Sequence, residues 1–287
     1  MFKFYLYKIS QFIVNLLPLP LSYSFGVFLS DLQCTFSFRD HRAVRNNLKT
    51  ILHTDKDLEP LVREVFRNFG KYLVDFFRME KKIDMQFIKE RVKVKNLDYI
   101  KKALERGKGA IVVTAHIGNW ELGAVAVSML GYPLMVVALP HKERPVNDLF
   151  NYQREVKGIT VVPTNVAVRR CIETLKQNKL VALAADRDFT LHGEVLNFLG
   201  RKAFIPKGAA VFSVKTGAPI VPCFMTRNSD DTFNLTLEEP IIPPEKIPDH
   251  AETEAILAIM KKHTTVIENK IRQFPTQWLM FREFWTA

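Results

Sequence analysis

The sequence predicts a single-domain α/β protein in which a mostly parallel mixed sheet is flanked by helices and preceded by a hydrophobic helical segment. From residue 92 onwards, short apolar runs alternate with segments of helical periodicity, a pattern typical of parallel strands joined by helices. A chain of 287 residues is long enough to bury one large core. Residues 9–30 carry no charged side chain, which distinguishes the N-terminal segment from the rest.

The N-terminal segment, residues 1–38, is predicted to associate with a membrane, and residues 39–287 to form the folded domain. The uncharged run is long enough to span a bilayer. However, it contains Gln11 and Asn15, and Pro18 and Pro20 divide it into two shorter halves. We therefore expect two in-plane or partly inserted helices, over residues 2–17 and 21–36, with a single N-terminal span as the alternative.

The composition of this segment fits two other interpretations. A hydrophobic helical hairpin packed on the domain has the same composition as an in-plane anchor. A cleaved signal peptide is less favoured, because no cleavage site with small residues follows the apolar run.

The remaining elements follow from the spacing of apolar residues. Amphipathic helices are predicted over residues 42–52 and 57–79, where apolar side chains recur every three or four positions. Strands are predicted at residues 110–114, 134–138, 160–162, 180–184 and 220–225. Helical stretches are predicted between them, at residues 97–105, 120–130, 147–157, 166–177 and 206–216.

The C-terminal region is predicted to finish the sheet and cover it. Residues 232–237 alternate between polar and apolar, as an edge strand does. Asp249 is placed to cap a helix that continues to about Arg272, and Pro275 stops it. The aromatic and basic tail, residues 277–285, either seals the fold or lies at a lipid interface.

Composition favours an anionic membrane surface over nucleic acid as the partner. The formal net charge is +11, which either partner would explain, and the 22 phenylalanines favour contact with lipid. The three cysteines are far apart in sequence and form no Cys-x-x-Cys pair, so neither a disulfide framework nor a zinc site is indicated. We expect a reducing, cytoplasmic environment and no nucleic-acid partner.

The candidate site is the segment that joins the strand at residues 110–114 to the helix after it. His116 stands in the turn between them, at the end of a buried strand, where open α/β sheets commonly bind ligands. On one continuous helix, His116 and Glu121 would point about 140° apart. With His116 in the turn, Glu121 can accept one ring N–H and leave the other nitrogen as a general base. The alternative is a core histidine satisfied by a backbone carbonyl.

The chemistry open to this pair is direct transfer. The sequence contains no Gly-x-Ser-x-Gly elbow and no cysteine beside a histidine, so a covalent acyl-enzyme has no sequence signal. His116 could instead activate a substrate hydroxyl for attack on a thioester. The developing oxyanion would need donors such as the turn amides after His116 or a nearby cation. No third convergent ligand for a metal is signalled, so we expect no metal and no cofactor.

The His116-x4-Glu121 motif in this setting resembles the His-x4-acid motif of glycerolipid acyltransferases. The sequence of residues 114–121 is similar to that of the lipid A (lauroyl and myristoyl) acyltransferase branch and its lysophospholipid-acyltransferase-like relatives. The resemblance covers roughly residues 40–285. Further blocks follow the family order at residues 42–48, 153–154, 185–188, 198–201, 215–222 and 275–279.

The resemblance implies a role for each matching residue. His116 is the base and Glu121 its orienting partner. The residues expected to bind substrate are Asn119, Arg154, Asp186, Arg187, Arg201 and Lys207. Arg154 could hold an acceptor phosphate or the thioester oxygen, or be a surface arginine on an exposed helix. Asp186 lies near the catalytic pair in the family, or it caps the next loop with Arg187 as its partner. Arg201, Lys202 and Lys207 are phosphate contacts or a solvated face.

The resemblance also implies the reaction. An acyl chain would pass from acyl carrier protein, or from acyl-CoA, to a hydroxyl of a phosphorylated, lipid A precursor-like glycolipid at the cytoplasmic face of the inner membrane. The alternatives are a lysophospholipid or other glycolipid acyltransferase that uses acyl-CoA, a thioesterase or lipid hydrolase, and a non-catalytic binding protein. The chain departs from the family pattern at Glu283 and in residues 189–192, which bears on the acceptor.

Overall fold

The structure is a computed structural model and describes residues 2–54, 56–188, 193–246 and 248–285. The side chains of Phe2 and Asp249 are also outside the described part of the structure, and the predicted cap at Asp249 lies there too. The departure from the family pattern at residues 189–192 falls outside the described residues as well.

The described residues form eleven α-helices, of which the first two come from the N-terminal segment. They are α1 (Phe2–Leu16), α2 (Leu19–Phe36), α3 (Phe38–Leu52), α4 (Glu59–Lys82), α5 (Met85–Arg91), α6 (Asp98–Leu104), α7 (Trp120–Met129), α8 (Arg144–Glu155), α9 (Ala167–Lys176), α10 (Gly208–Thr216) and α11 (Glu252–Gln273). Pro18 precedes α2 and Pro20 lies in its first turn, where proline is tolerated because no helical hydrogen bond is lost. The two predicted N-terminal helices therefore form with the predicted break between them.

The strands form one large sheet and one hairpin. They are β1 (Val92–Lys95), β2 (Ala110–Thr114), β3 (Leu134–Ala138), β4 (Thr160–Pro163), β5 (Leu180–Ala184), β6 (Glu194–Phe198), β7 (Arg201–Ile205), β8 (Ile220–Arg227) and β9 (Phe233–Leu237). The large sheet has the order β1-β9-β8-β2-β5-β3-β4, and β6 pairs with β7. All neighbours in the large sheet are parallel except β8 and β9, which confirms the predicted mixed, mostly parallel α/β fold.

The core lies on both faces of this sheet. Every residue of β8 and four of the five in β2 are buried, because a central parallel strand is covered by helices on both sides. Helices α4, α6 and α7 pack on one face, and α9, α10 and α11 on the other. The C-terminal tail seals the fold, since Trp278, Leu279, Met280 and Trp285 are buried.

The N-terminal helices pack against α4 and contribute to the core. Val14 of α1 and Tyr23 of α2 are buried in the same cluster as Phe76 and Phe77. Arg78 donates to the backbone oxygens of Val14 and Leu17, which ties the break between α1 and α2 to α4. Within the described part of the chain, no helix combines the length and apolar character needed to cross a membrane.

The structure corrects two expectations for the sheet. Residues 232–237 do not form its edge, because β1 pairs with the outer side of β9. The sequence VKVK of β1 and the β6–β7 hairpin were not predicted. β1 is only four residues long, and lysines occupy its two exposed positions. The exposed positions of the hairpin hold Arg201 and Lys202 as well as Val195, Asn197 and Phe204, so neither element has the apolar run by which the other strands are recognised.

Candidate active site

The site forms where the central strands β2 and β5 end. These strands are parallel neighbours, and Thr114 at the end of β2 is in register with Ala184 at the end of β5. His116 and Asp186 each lie two residues beyond this pair. Nδ1 of His116 lies 2.8 Å from Oδ1 of Asp186, and the His116 side chain keeps 19% of its surface exposed. A histidine and a carboxylate are thus paired at the carboxyl edge of the sheet.

Asp186 is held by three hydrogen bonds. Besides the His116 ring, Oδ2 accepts from the His116 backbone N–H at 2.9 Å and from Trp278 Nε1 at 2.9 Å. Burial raises the pKa of this carboxyl, but the nearby His116 and the bonds from His116 and Trp278 outweigh it and lower the pKa overall. Asp186 therefore stays ionised and fixes the orientation of the imidazole ring.

The structure corrects the expected partner of His116. The carboxylate bonded to its ring is that of Asp186, whereas Glu121 forms a bidentate ion pair with Arg154 of α8, with distances of 2.8 Å to Nε and 2.6 Å to Nη2. Because α7 begins at Trp120, Glu121 lies in the first turn of the helix, from which its side chain reaches α8.

The Glu121–Arg154 pair is buried and ionised. Burial raises the pKa of Glu121, but Arg154 outweighs it and the net pKa is lowered. Burial lowers the pKa of Arg154, but Glu121 outweighs it and the net pKa is raised. The third guanidinium nitrogen, Nη1, makes a long contact of 3.5 Å with Asn151. Arg154 is therefore a fixed cation, and the expectation of a surface arginine is wrong.

The turn between His116 and Glu121 is fixed by its own backbone. The amides of Ile117, Gly118 and Asn119 donate to the carbonyls of Ala115, Gln277 and Met225. These three amides are therefore committed to protein acceptors. Gly118 has φ +61°, and a Cβ atom at this position would lie only 2.0 Å from the Met225 carbonyl oxygen. The position therefore requires glycine.

Asn119 lies inside the protein and does not face a substrate. Its Oδ1 accepts from the Leu122 amide at 3.1 Å and caps helix α7, and its Nδ2 donates to Asp75 of α4 at 2.8 Å. Both side-chain atoms are used within the fold, so the predicted substrate contact at Asn119 is replaced by a structural role.

The other predicted cations do not converge on one point. Arg187 follows Asp186 directly and is half-buried, and its pKa is lowered by burial and by the charge of Arg282. Lys207 pairs with Glu194 of β6 at 2.9 Å. Arg201 contacts Thr50 and the Trp285 ring, and it lines a cavity of about 520 Å³ whose lining residues do not include His116.

Aromatic rings pack beside His116 and beside Arg154. The Trp120 ring packs edge-on against His116 with centroids 4.9 Å apart, and Tyr72 stacks on Trp120 at 4.5 Å. His141 lies after β3 and packs on Phe150 at 4.5 Å, and its pKa is lowered by burial and by Arg154. Of these rings, Trp120 is the one that contacts His116.

Sequence reasoning missed Asp75, Arg227 and the bond from Trp278 to Asp186. The tail motif at residues 275–279 was the available signal for Trp278, but it carried no role. Asp75 lies on a helix that was predicted from the spacing of its apolar residues, and no sequence pattern distinguished this acid from other polar residues of the helix. Across the described residues, no three His, Cys, Asp or Glu side chains are grouped as a metal site would be.

The whole chain, residues 1–287, matches a sequence family described as bacterial lipid A biosynthesis acyltransferase. It is similar to phosphatidylinositol mannoside acyltransferase of Mycolicibacterium smegmatis, with 26% identity over 235 residues that cover 80% of this chain and 73% of that protein. It is also similar to the lipid A biosynthesis palmitoleoyltransferase of Escherichia coli K12, with 26% identity over 272 residues, or 92% of this chain and 84% of that protein.

The mycobacterial relationship extends to a second species. The phosphatidylinositol mannoside acyltransferase of Mycobacterium tuberculosis H37Rv is 29% identical over 189 residues, which cover 62% of this chain and 59% of that protein. Among solved structures, a 1-acyl-sn-glycerophosphate acyltransferase from Thermotoga maritima matches with 18% identity and a TM-score of 0.37, over 79% of this chain and 98% of that chain.

Proposed function

The chain belongs to the bacterial lipid A biosynthesis acyltransferase family and is an acyltransferase, and from this premise we propose that it moves a fatty acyl chain from a thioester carrier to a hydroxyl of a phosphorylated glycolipid. The observation that carries the proposal is the hydrogen bond of 2.8 Å between His116 Nδ1 and Asp186 Oδ1. It orients the ring so that Nε2 is the nitrogen that takes up a proton.

In the first step, Nε2 of His116 accepts the proton of the acceptor hydroxyl while its oxygen attacks the thioester carbonyl carbon. A carbon–oxygen bond forms and the carbonyl oxygen takes up negative charge. The imidazolium that results is stabilised by Asp186, whose lowered pKa keeps it anionic.

In the second step, the carbonyl re-forms and the carbon–sulfur bond breaks. The proton on Nε2 passes to the departing thiolate, so that a free thiol and a new ester are released and His116 returns to its neutral form. No covalent acyl-enzyme is required. The buried cysteines agree with this, because burial raises the pKa of Cys171 and of Cys223 to about 12, which disfavours a thiolate nucleophile.

Arg154 supplies positive charge in this scheme. Glu121 holds its Nε and Nη2, which leaves Nη1 as the part of the guanidinium best able to meet a substrate oxygen. A fixed cation requires little reorganisation when charge develops in the transition state. Either the thioester oxygen or the acceptor phosphate is suited to this position, and Glu121 acts on the substrate through Arg154.

The names of the relatives support a proposal for the chemical class of the acceptor. Their names specify lipid A and phosphatidylinositol mannoside, which are both phosphorylated glycolipids. We propose an acceptor of this class and, as donor, an acyl carrier protein, whose acidic surface would suit a chain with net charge +11, with acyl-CoA as the second donor to be tested.

We also propose that residues 1–38 hold the enzyme on the cytoplasmic face of the inner membrane, ahead of an acyltransferase region at residues 39–287. Exposed apolar side chains on α1 and α2 support this proposal: Ile9, Phe12, Leu16, Phe28 and Phe36. Lys3 and Lys8 lie on the same helix as the first three and would favour anionic headgroups. In-plane attachment is consistent with the packing of α1 and α2 on α4.

The proposal is tested with purified enzyme, donors of several chain lengths bound to acyl carrier protein or CoA, and a panel of glycolipid and lysolipid acceptors. Mass spectrometry of the lipid product identifies both substrates. His116→Ala is expected to lower transfer about 10²- to 10⁴-fold. Acyl release at the same rate without any acceptor would identify a hydrolase, and near-normal transfer by His116→Ala would reject the mechanism.

A further inference from the structure

A buried polar cluster lies under the turn that carries His116. We define the Asp75 cluster as Tyr23 of α2, Asp75 of α4, Asn119 of the turn and Arg227 at the end of β8. The Tyr23 hydroxyl donates to Asp75 Oδ1 at 2.7 Å, and Asn119 Nδ2 donates to Oδ2 at 2.8 Å. Arg227 Nη2 also donates to Oδ2. Asp75 keeps only 1% of its surface exposed, so these protein donors replace water around the carboxylate.

The Asn119 side of the cluster determines the shape of the turn. Asn119 uses its Oδ1 to cap α7, whose first turn carries Glu121, and its backbone amide donates to the Met225 carbonyl. With Nδ2 bonded to Asp75, the side-chain amide has one rotational state. A change at Asp75 would therefore alter the start of α7, and with it the separation of His116 from the Glu121–Arg154 pair.

The Tyr23 side of the cluster belongs to the hydrophobic N-terminal helices. Tyr23 is buried on α2, the helix whose opposite side exposes Phe28 and Leu32. The Arg227 guanidinium packs against the Tyr23 ring at 4.9 Å from its centroid and against Phe233 at 4.6 Å. Helix α2 is thus connected to the turn through one carboxylate, although Tyr23 and Asn119 are far apart in the sequence.

Charge balance makes the connection rigid. Arg227 also bonds Asp231, which pairs with Lys71 of α4, so two acids and two bases neutralise one another. The Gln277 side chain holds the Arg227 backbone, since its Oε1 accepts from the Arg227 N–H at 2.9 Å and its Nε2 donates to the Arg227 carbonyl at 2.8 Å. The backbone carbonyl of Gln277 accepts from the Gly118 N–H. A buried network with all members paired has one arrangement of low energy, because any rotation leaves a charge or donor unpaired.

We propose that Asp75 is a positioning residue for acyl transfer, which links the seating of helix α2 to the geometry of the His116–Glu121 turn through Tyr23 and Asn119. The inference rests on the proposed function, since it assigns a consequence for the reaction at His116. A purely structural role for the cluster would affect stability alone. A positioning role makes Tyr23 and Asn119 energetically dependent on one another in the catalytic rate.

The test uses a double-mutant cycle with variants that keep the fold. Tyr23→Phe removes one donor to Asp75 and keeps the ring against Arg227. Asn119→Ser keeps a hydroxyl that can cap α7 and removes the donor to Asp75. We expect each variant to lower kcat about tenfold, which is a typical effect of losing a hydrogen bond to a charged group. KM for the acyl-carrying substrate should be unchanged.

The double variant decides between the roles. If the link runs through Asp75, Tyr23→Phe has little further effect once Asn119 is Ser, and kcat falls about tenfold in total. Independent effects would multiply to about a hundredfold and overturn the proposal. An unchanged kcat in Tyr23→Phe would overturn it equally. Tyr99→Phe, in α6, is the matched control and is expected to behave as the wild type.

Hydrogen exchange tests the link without any substrate. In Tyr23→Phe, the Leu122 amide is expected to exchange faster, because its acceptor Asn119 gains freedom, whereas Tyr99→Phe leaves it unchanged. Unchanged exchange in Tyr23→Phe would contradict the link. Because this measurement involves no catalysis, it separates the two failures: activity retained by His116→Ala rejects the proposed function, and the exchange result still decides the link.

Discussion

Asp186 Oδ1 lies 2.8 Å from Nδ1 of His116, although the two residues are 70 positions apart in the chain. The parallel pairing of β2 with β5 brings them together, since each follows its strand by two residues. This relationship divides the roles at the site. Asp186 orients the histidine, and Glu121 fixes the cation Arg154.

Replacing Arg154 by lysine is expected to damage both stability and activity. Lysine keeps the charge but cannot make the two-nitrogen fork to Glu121, so part of a buried carboxylate loses its partner. We expect a loss of about 1–3 kcal/mol in the free energy of unfolding, together with a fall in kcat/KM. Denaturant unfolding and initial rates measure the two effects.

Arg169→Lys is the matched control for this change. Arg169 bonds Glu173 at 2.7 Å, but its side chain is 84% exposed. An exposed pair contributes little, so the unfolding free energy should change by less than about 0.5 kcal/mol. Equal destabilisation by the two substitutions would show that the Glu121–Arg154 pair contributes no more to the free energy of unfolding than an exposed pair does.

Gly118→Ala is expected to disrupt the turn beside His116. Gly118 and Gly107 have similar backbone conformations, with φ +61° and +70°, so alanine is strained at both. Only at Gly118 would the new Cβ lie 2.0 Å from a backbone oxygen, that of Met225, whereas Gly107 has no atom within 4 Å. We expect Gly107→Ala to cost about 1–2 kcal/mol and to keep activity. Gly118→Ala should lose activity, and equal activity in the two variants would contradict this.

His263 is expected to make stability depend on pH. It is buried on α11 and neither ring nitrogen has a partner within the described structure, and burial lowers its pKa to about 4 from the usual 6.5. The unfolded chain therefore takes up a proton that the folded protein does not. Stability should be fully present above about pH 6.5 and fall by about 3 kcal/mol as the pH drops to about 4.

His263→Leu removes this titration. Unfolding free energies measured from pH 7 to pH 4.5 should fall less steeply for the variant than for the wild type. Parallel curves would show that burial of His263 does not contribute to acid sensitivity.

Attachment to lipid is expected to depend on the exposed face of α1. Phe12 is 68% exposed, so Phe12→Asp should leave the fold intact and weaken binding to vesicles of anionic phospholipid about tenfold or more. Val168→Asp on α9 is the control, because this residue is 64% exposed on a different helix. Cosedimentation measures binding, and equal losses for both variants would argue against α1 as the attachment surface.

Most of the helices and strands could be predicted from the sequence. The predicted strands at residues 110–114, 134–138 and 180–184 match β2, β3 and β5 residue for residue, because buried strands have continuous apolar runs. β1 lacks such a run, since two of its four residues are lysines. It forms because it can pair with the edge of β9. That edge exists only in the tertiary fold and cannot be read from the local sequence.

Strand order was the missing information at the site. The motif suggested Glu121 as the partner of His116 because the two are close in sequence. That β5 lies beside β2 cannot be read from either strand alone, and this neighbourhood selects Asp186. The same limit hid Asp75, which is identified as part of the site only once α4 is packed under the turn.

The most direct test of the account compares kcat/KM for Asp186→Asn and Glu121→Gln across a range of pH, with stability measured in parallel. If Asp186 orients the base, Asp186→Asn should lower kcat/KM about 10²- to 10⁴-fold, because its amide no longer holds the required ring tautomer. Glu121→Gln, which acts through Arg154, should have a smaller effect on kcat/KM. A larger loss in Glu121→Gln, with Asp186→Asn near wild type, would contradict the account.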